Sequence, residues 1–359
     1  MAHRVTLIPG DGIGPEVIEA GRRAIGATGV AVEWDRQEMG AGAFARTGSP
    51  LPEATLSSIR ANRVALKGPN ETPVTSGLRS VNLELRRELD LFANVRPCRR
   101  LAGVPSVYGD VDLVVIKENT EGSYTGYEFE MGSSAMAELG RFIEGTTGRR
   151  VREDAGVSIK AITERGSERI VRFAFDYARS FGRARITAAH KANIMKFSDG
   201  LFLEVARRVA AEYPEVVFDD RIIDALCMQL VQSPSAFDVL VMPNLYGDMV
   251  SELGAGLIGG TGVAPGGHFG GADGRELAVF EATHGTAPGL AGTDAANPVG
   301  VLLSGAMLLR FVGEDEAGQR LHTAAADTLA AGEVTADIAS SGAEVLGTRA
   351  FTERVISRL

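Results

Sequence analysis

Short apolar runs recur along this chain, with room for one helix between each pair, and that alternation constrains the fold more than any other feature. Residues 5–8 read as a short buried strand, followed by a glycine turn and a helix that opens at Pro15, the favoured first helical position. Strands are expected over 30–34, 63–67, 89–95, 112–117, 157–163, 184–189, 216–222, 237–242 and 277–280, the 89–95 strand being stopped by Pro97. Helices are expected after Pro52 and over 78–88. The 112–117 run, DLVVIK, is apolar without alternation, as a strand covered on both faces should be. The pattern predicts an α/β architecture with helices on both sides of its sheets. The segment 124–156 departs from it: aromatic Tyr124, Tyr127 and Phe129 lead into a charged Gly/Arg/Thr-rich run, which reads as a protruding arm, or simply as a surface loop.

Composition narrows the classes. The chain has 359 residues, enough for about two domains and a full core without disulfides. Its formal net charge is −9, which argues against general nucleic-acid or anionic-membrane binding. Two cysteines, Cys98 and Cys227, suit a reducing compartment, and a cytoplasmic protein is expected. No apolar run approaches the ~20 residues of a membrane span, and Arg4 and Asp11 interrupt any leader-like core. The 44 glycines cluster at turns, where small-molecule sites are built.

Between Arg221 and Arg275 there is no Lys or Arg, yet the stretch holds Asp224, Asp238, Asp248 and Glu252. Asp248 and Glu252, four residues apart, share one helix face, and Asp224 opens another helix. With no neighbouring cation, either water solvates these acids or a hard divalent cation of the Mg²⁺ or Mn²⁺ type does. Ser80, Asn82 and Arg86, with Arg96 beyond the next strand, suit a small polycarboxylate, because guanidinium grips carboxylate bidentately. A solvent-facing Arg86 is the plainer reading. Lys191 follows a strand end and is either a desolvated base or a surface lysine. Tyr124 is either a phenolic acid or a packed interface residue. The turn at 10–15 suits an anion at a helix N-terminus but is not G-x-G-x-x-G, so a Rossmann reading is weak. The segment 281–288, EATHGTAP, is the better nucleotide site, offering a ring and backbone amides.

Seven ordered motifs, LIPGDGIGPEV (7–17), ALKGPNETP (65–73), RSVNLELRRELDLFANVRP (79–97), ENTEGSYTG (118–126), HKANIMKFSDGLF (190–202), NLYGDMVSE (244–252) and THGTAPGLAGTDAANP (283–298), resemble the isocitrate/isopropylmalate dehydrogenase family of metal-dependent β-decarboxylating dehydrogenases. The NAD-type isocitrate dehydrogenases are the most similar branch. The resemblance implies that family's two-domain α/β/α fold, distinct from a Rossmann fold. Residues 1–98 and 254–359 would form the large, cofactor-side domain and 99–253 the small one, with 124–156 clasping the partner of a homodimer. It implies Tyr124, Lys191 and Asp224 as catalytic residues, with Lys191 and Asp224 serving the partner's site. Ser80, Asn82, Arg86, Arg96, Lys117 and Asn193 would bind substrate, a tricarboxylate or substituted malate. Asp224, Asp248 and Glu252 would hold Mg²⁺ or Mn²⁺. Thr72, Glu281, His284, Gly285, Thr286, Ala287, Asn297 and Asp337 would bind NAD.

Three departures stand out against the family pattern. Lys117 replaces a third substrate arginine, Glu252 replaces an aspartate, and Gly289 replaces the acid that binds the adenosine ribose. The basic and aromatic residues that would neutralise a 2′-phosphate are also missing at Gly289, Leu290, Ala336 and Ser340, so NAD is expected over NADP. The arm is longer than usual in the family. Alternatives are the same reaction on homoisocitrate, isopropylmalate, a tartrate-like acid or a phosphonomethylmalate, and, in another class, a catalytically silent regulatory subunit. Isopropylmalate fits least, since Ser80 and Asn82 put polar groups where an alkyl pocket is needed.

Overall fold

The computed structural model describes residues 2–71 and 80–359. Its strands are β1 (His3–Ile8), β2 (Val32–Arg36), β3 (Val64–Lys67), β4 (Ala93–Arg99), β5 (Asp112–Glu118), β6 (Glu128–Phe129), β7 (Val157–Ser158), β8 (Arg185–His190), β9 (Val217–Ile222), β10 (Val239–Met242), β11 (Pro265–Gly270) and β12 (Leu277–Ala282), with a small pair β13 (Glu333–Val334) and β14 (Glu344–Val345). Ten of them form one sheet in the order β2-β1-β3-β12-β11-β4-β5-β10-β8-β9. The outer strands are parallel to their neighbours, but β11 runs antiparallel to both β12 and β4, and β4 antiparallel to β5. This central reversal separates the fold from a doubly wound parallel sheet, as expected from the motifs.

Helices cover both faces: α1 (Gly14–Ala27), α2 (Ala41–Thr47), α3 (Glu53–Asn62), α4 (Val81–Glu88), α5 (Ser134–Thr147), α6 (Glu164–Ser180), α7 (Asp199–Ala210), α8 (Ile223–Gln232), α9 (Asn244–Ile258), α10 (Val299–Phe311), α11 (Asp315–Ala330) and α12 (Thr348–Ile356). The strand β5 explains why. Leu113 and Val115 point into one core with Val5, Leu66 and Phe280, while Val114 and Ile116 point into another with Phe175 and Phe202. An uninterrupted apolar strand needs cover on both sides. Among the described residues, no helix is long and apolar enough to cross a membrane.

Several expectations need correction. Pro97 does not stop its strand: β4 runs on to Arg99. Beyond Val95 β11 no longer pairs with it, so a residue without an N–H is tolerated at that one-sided stretch. The strand expected over 89–95 starts at Ala93, because Leu89 caps α4 and Asp90 is left-handed (φ 44°). Residues 157–163 form the two-residue β7, paired with β6, and a single bridge from Ala161 to Gly122 before Thr163 caps α6. The arm is not a loop; it carries the 14-residue helix α5, capped by Ser133 and ended by a left-handed Gly148. Residues 78 and 79 of the helix expected over 78–88 lie outside the described residues.

The helix α9 approaches the sheet closely at Gly254, where an added Cβ would stand 2.6 Å from Cys98 Sγ of β4. Gly254→Val should therefore cost about 1–3 kcal/mol by overpacking. The expected readout is a lower urea midpoint with an unchanged slope.

Candidate active site

Five strands and two helices bring the polar side chains together, Lys67 and Glu281 coming from β3 and β12. Directly paired positions share a sheet face, so Lys117 on β5, Asn94 on β4 and His268 on β11 stand in one row, with Arg96 two residues along β4. The helix α4 contributes Asn82 and Arg86, and α9 contributes Asp248 and Glu252. A cavity of about 200 Å³ is lined by Asn82, Arg86, Asn94, Arg96, His268 and Glu281, and extends to the turn at His284–Gly285.

Asp248 is the hub of one end. Its Oδ2 accepts from Tyr124 Oη at 2.6 Å, and its Oδ1 lies 3.1 Å from Lys117 Nζ and 3.6 Å from Arg96. Burial opposes its ionisation, but Lys117, the Tyr124 hydroxyl and Arg96 outweigh it and hold the carboxyl below its usual range. Burial and the bond to Asp248 push the Tyr124 phenol up to about 12, so it keeps its proton at neutral pH. Lys117 is wholly buried; burial and then the Arg86 charge bring its ammonium down to about 7. Its Nζ also donates to Asn244 Oδ1 at 2.6 Å. The expectation that no cation neighbours Asp248 and Glu252 is thus overturned. Lys117 and Arg96 compensate them from strands more than 100 residues earlier, Arg96 lying 3.4 Å from Glu252.

Glu281 is the hub of the other end. Its Oε2 lies 2.5 Å from Lys67 Nζ and its Oε1 2.6 Å from His268 Nε2. Burial raises its proton affinity, but Lys67, His268 and Arg86 more than offset this and hold the carboxyl well below the ordinary range. Asn119 Nδ2 donates to Leu91 O and lies 3.1 Å from His268 Nδ1, which assigns that nitrogen as acceptor and puts the ring proton on Nε2, toward Glu281. Burial brings the imidazole down to about 4, so it is neutral near pH 7. Sequence reasoning missed Lys67, Asn94, Asn119 and His268 as site residues. A lysine ending a fully apolar strand was the one signal available.

The remaining expected residues divide into three groups. Asn82 Oδ1 is buried without a partner, and no hydrogen bond or ion pair engages the Arg86 guanidinium among the described residues. Ser80 is exposed at the start of α4. Lys191 Nζ donates to Asp224 Oδ1, and Asp224 is 67% exposed. No hydrogen bond or ion pair joins Lys191, Asn193 or Asp224 to Tyr124 or Asp248, and no group of three His, Cys, Asp or Glu residues able to hold a metal exists among the described residues. One chain does not bring the three expected metal carboxylates together. On the nucleotide side, Asn297 Nδ2 donates to Asp337 Oδ2 at 3.0 Å, Thr286 O accepts from Ile13 N, and Ala287 takes a left-handed φ of 37°. His284 Nδ1 lies 3.0 Å from Gly285 O, leaving Nε2 buried without a partner. Thr72 lies outside the described residues.

The low proton affinity of His268 makes a stability prediction. Its folded value near 4 lies below the unfolded value of about 6.5, so between these the unfolded chain binds the extra proton and stability falls as pH drops. The loss is at most about 1.4 kcal/mol per pH unit. Urea unfolding of His268→Asn should show a flatter pH dependence between pH 6.5 and 4 than the wild type; parallel profiles would contradict the assignment.

Comparison with known proteins gives the family. The isocitrate/isopropylmalate dehydrogenase family model matches residues 4–355. The chain is 45% identical over 351 residues to the mitochondrial NAD isocitrate dehydrogenase catalytic subunit 5 of Arabidopsis thaliana, covering 98% of this chain and 88% of that one. It is also 45% identical over 331 residues to the chloroplastic 3-isopropylmalate dehydrogenase of Solanum tuberosum, covering 92% and 86%. A crystal structure of isocitrate dehydrogenase from Methylococcus capsulatus superposes with a TM-score of 0.89 at 46% identity, covering 99% of each chain. With its reversed central sheet and its family model matched over residues 4–355, the chain belongs to the isocitrate/isopropylmalate dehydrogenase family.

Proposed function

We propose that this protein is an NAD-dependent dehydrogenase that oxidatively decarboxylates isocitrate to 2-oxoglutarate and CO₂. The observation that carries the reading is the Tyr124–Asp248 hydrogen bond beside the unpartnered Arg86: a phenol that keeps its proton stands next to a guanidinium waiting for a carboxylate. The names of its NAD isocitrate dehydrogenase relatives favour the same substrate.

The donor set suits a hard cation, being carboxylate only, provided that Asp224 comes from a second copy. Its exposure and its separation from Asp248 within one chain support a homodimer with shared sites, as do exposed Met228, Val231 and Met249 on α8 and α9. Asp248 and Glu252, with Asp224 of the second copy, would hold Mg²⁺ or Mn²⁺. Glu281, the turn at 284–287, Asn297 and Asp337 would hold NAD; the unpartnered His284 Nε2 offers an acceptor there. When bound, the metal supplies charge that acidifies the substrate hydroxyl and steadies the enolate, and NAD supplies the hydride acceptor.

The chain's own residues do the rest. Arg86 and Arg96 bind the substrate carboxylates. Lys191 and Asp224 reach this site from the second copy: Lys191 Nζ passes a proton to Asp224 along their hydrogen bond and takes the C2 hydroxyl proton as hydride leaves C2. The new ketone draws in the electron pair of the C3–carboxylate bond, and CO₂ departs. Tyr124 Oη then protonates C3. The two-domain division at residues 98 and 254, the clasping role of the arm and a cytoplasmic setting belong to this proposal; Cys98 and Cys227 are free thiols, which a reducing compartment preserves. The Arabidopsis thaliana and Solanum tuberosum relatives are named as mitochondrial and chloroplastic.

A second reading, the same reaction on another 3-substituted malate, is favoured by Lys117, whose Nζ is engaged by Asn244 and Asp248 rather than free for a carboxylate. Steady-state rates with isocitrate, homoisocitrate, isopropylmalate and phosphonomethylmalate, each with NAD and NADP, separate the readings. Isocitrate with NAD should lead, and NAD should exceed NADP at least about tenfold in kcat/KM, roughly 1.4 kcal/mol. Preference for another malate would move the substrate and leave the reaction class.

Tyr124→Phe should decarboxylate a supplied β-keto acid poorly, whereas Lys191→Met should lose the oxidation step. Interchanged defects would reverse the two roles.

A further inference from the structure

We propose that Asn94 is a substrate-binding residue, supplying the third carboxylate contact that Lys117 has given up; this rests on the reading that a malate-type anion occupies the cavity. Lys117 stands directly opposite Asn94 across β5 and β4, and Asn94 directly opposite His268 across β4 and β11. By charge, Lys117 is the obvious third donor beside Arg86 and Arg96. Its Nζ, however, is spent on Asn244 Oδ1 at 2.6 Å and Asp248 Oδ1 at 3.1 Å, and Lys117 is not among the residues that line the cavity.

Asn94 does line it. Its side chain is 1% exposed, and neither Nδ2 nor Oδ1 has a hydrogen-bond partner among the described residues. Buried amides are ordinarily paired, and one with both ends open, set between arginines in a polar cavity, is matched to an incoming group. Its flanks leave no other source: Lys117 is occupied, and His268 gives its ring proton to Glu281 while its other nitrogen faces Asn119. A carboxylate held by Arg86 and Arg96 presents acceptors only, which suits the two N–H groups of Nδ2. With the ligand bound, Oδ1 would accept from Arg86, whose fork has five donors and lines the same cavity. Asn94 is then a neutral arm that fixes the carboxylate's orientation without adding charge to a site already holding three cations.

The variants Asn94→Leu and Asn94→Asp test this. A structural asparagine would make both stability and binding fall in Asn94→Leu. A binding asparagine predicts a split: the thermal midpoint of the ligand-free protein is unchanged or higher, since an unpaired buried amide is gone. At the same time, calorimetric affinity for malate, isocitrate or isopropylmalate in Mg²⁺, and 1/KM, fall about 10- to 100-fold, the value of a hydrogen bond to a charged group. The isosteric Asn94→Asp keeps the shape, sets an anion against the substrate carboxylate and should bind more weakly still; it decides the matter if the leucine variant does not fold. Affinity within twofold of wild type in either folded variant overturns the proposal. If the wild type binds and turns over a malate other than isocitrate, the substrate assignment fails and Asn94 is read on that malate. If the wild type binds none of the three, both fall.

Discussion

The arrangement depends on the close approach of α9 to β5. Gly247 has no side chain where it crosses Lys117, and an added Cβ would stand 2.2 Å from Lys117 Cβ. That contact sets Asp248, the next residue, within reach of a buried ammonium. The ammonium is costly to bury and is retained because Asp248 and Asn244, both from α9, satisfy it. The same carboxylate then orients Tyr124 and draws Arg96 toward the helix, so a single close crossing positions the proposed proton donor, one substrate arginine and two of the expected metal carboxylates.

The opposite end of the cavity follows the same electrostatic logic with different parts. Glu281 is kept anionic by Lys67 and Arg86, while His268 is kept neutral by burial and serves as a fixed donor. Glu281 thus lines the cavity as an anion, and Asp248, also of depressed proton affinity, stands behind Arg96, while Arg86 has no ion pair among the described residues. Such a site favours a polyanionic ligand on one side and tolerates a cationic ring beside Glu281 on the other. Around the cavity Lys67 is matched by Glu281, Lys117 by Asp248 and Arg96 by Asp248 and Glu252, while no hydrogen bond or ion pair engages the Arg86 guanidinium among the described residues.

Much of this was legible in the residues. The DLVVIK run could be nothing but a strand covered on both faces, and α9 was readable as the bearer of two carboxylates on one face, because both inferences rest on local periodicity. The strand β11 was not legible: PGGHFG carries neither alternation nor β-branched residues. It is a strand because its neighbours offer hydrogen bonds and because Phe269 and Phe280 lie 3.0 Å from where a Gly267 side chain would be. Its His268 was hidden with it. The helix α5 was obscured by Gly140, Gly145 and two threonines, which lower helix propensity without forbidding it.

The sequence by itself determined the class of chemistry. Its motifs carry arginines suited to a polyanion, carboxylates suited to a hard cation, and a tyrosine and a lysine able to move protons, because those capacities belong to the side chains. Tertiary structure decided which of them are free to act. Asp248 and Glu252 looked uncompensated only because their cations are stored on β4 and β5; Lys117 is held and Asn94 open because pairing across two strands and one helix crossing distribute the hydrogen bonds that way. Availability for a ligand is the remainder after internal partners are counted, and those partners are far apart in the chain.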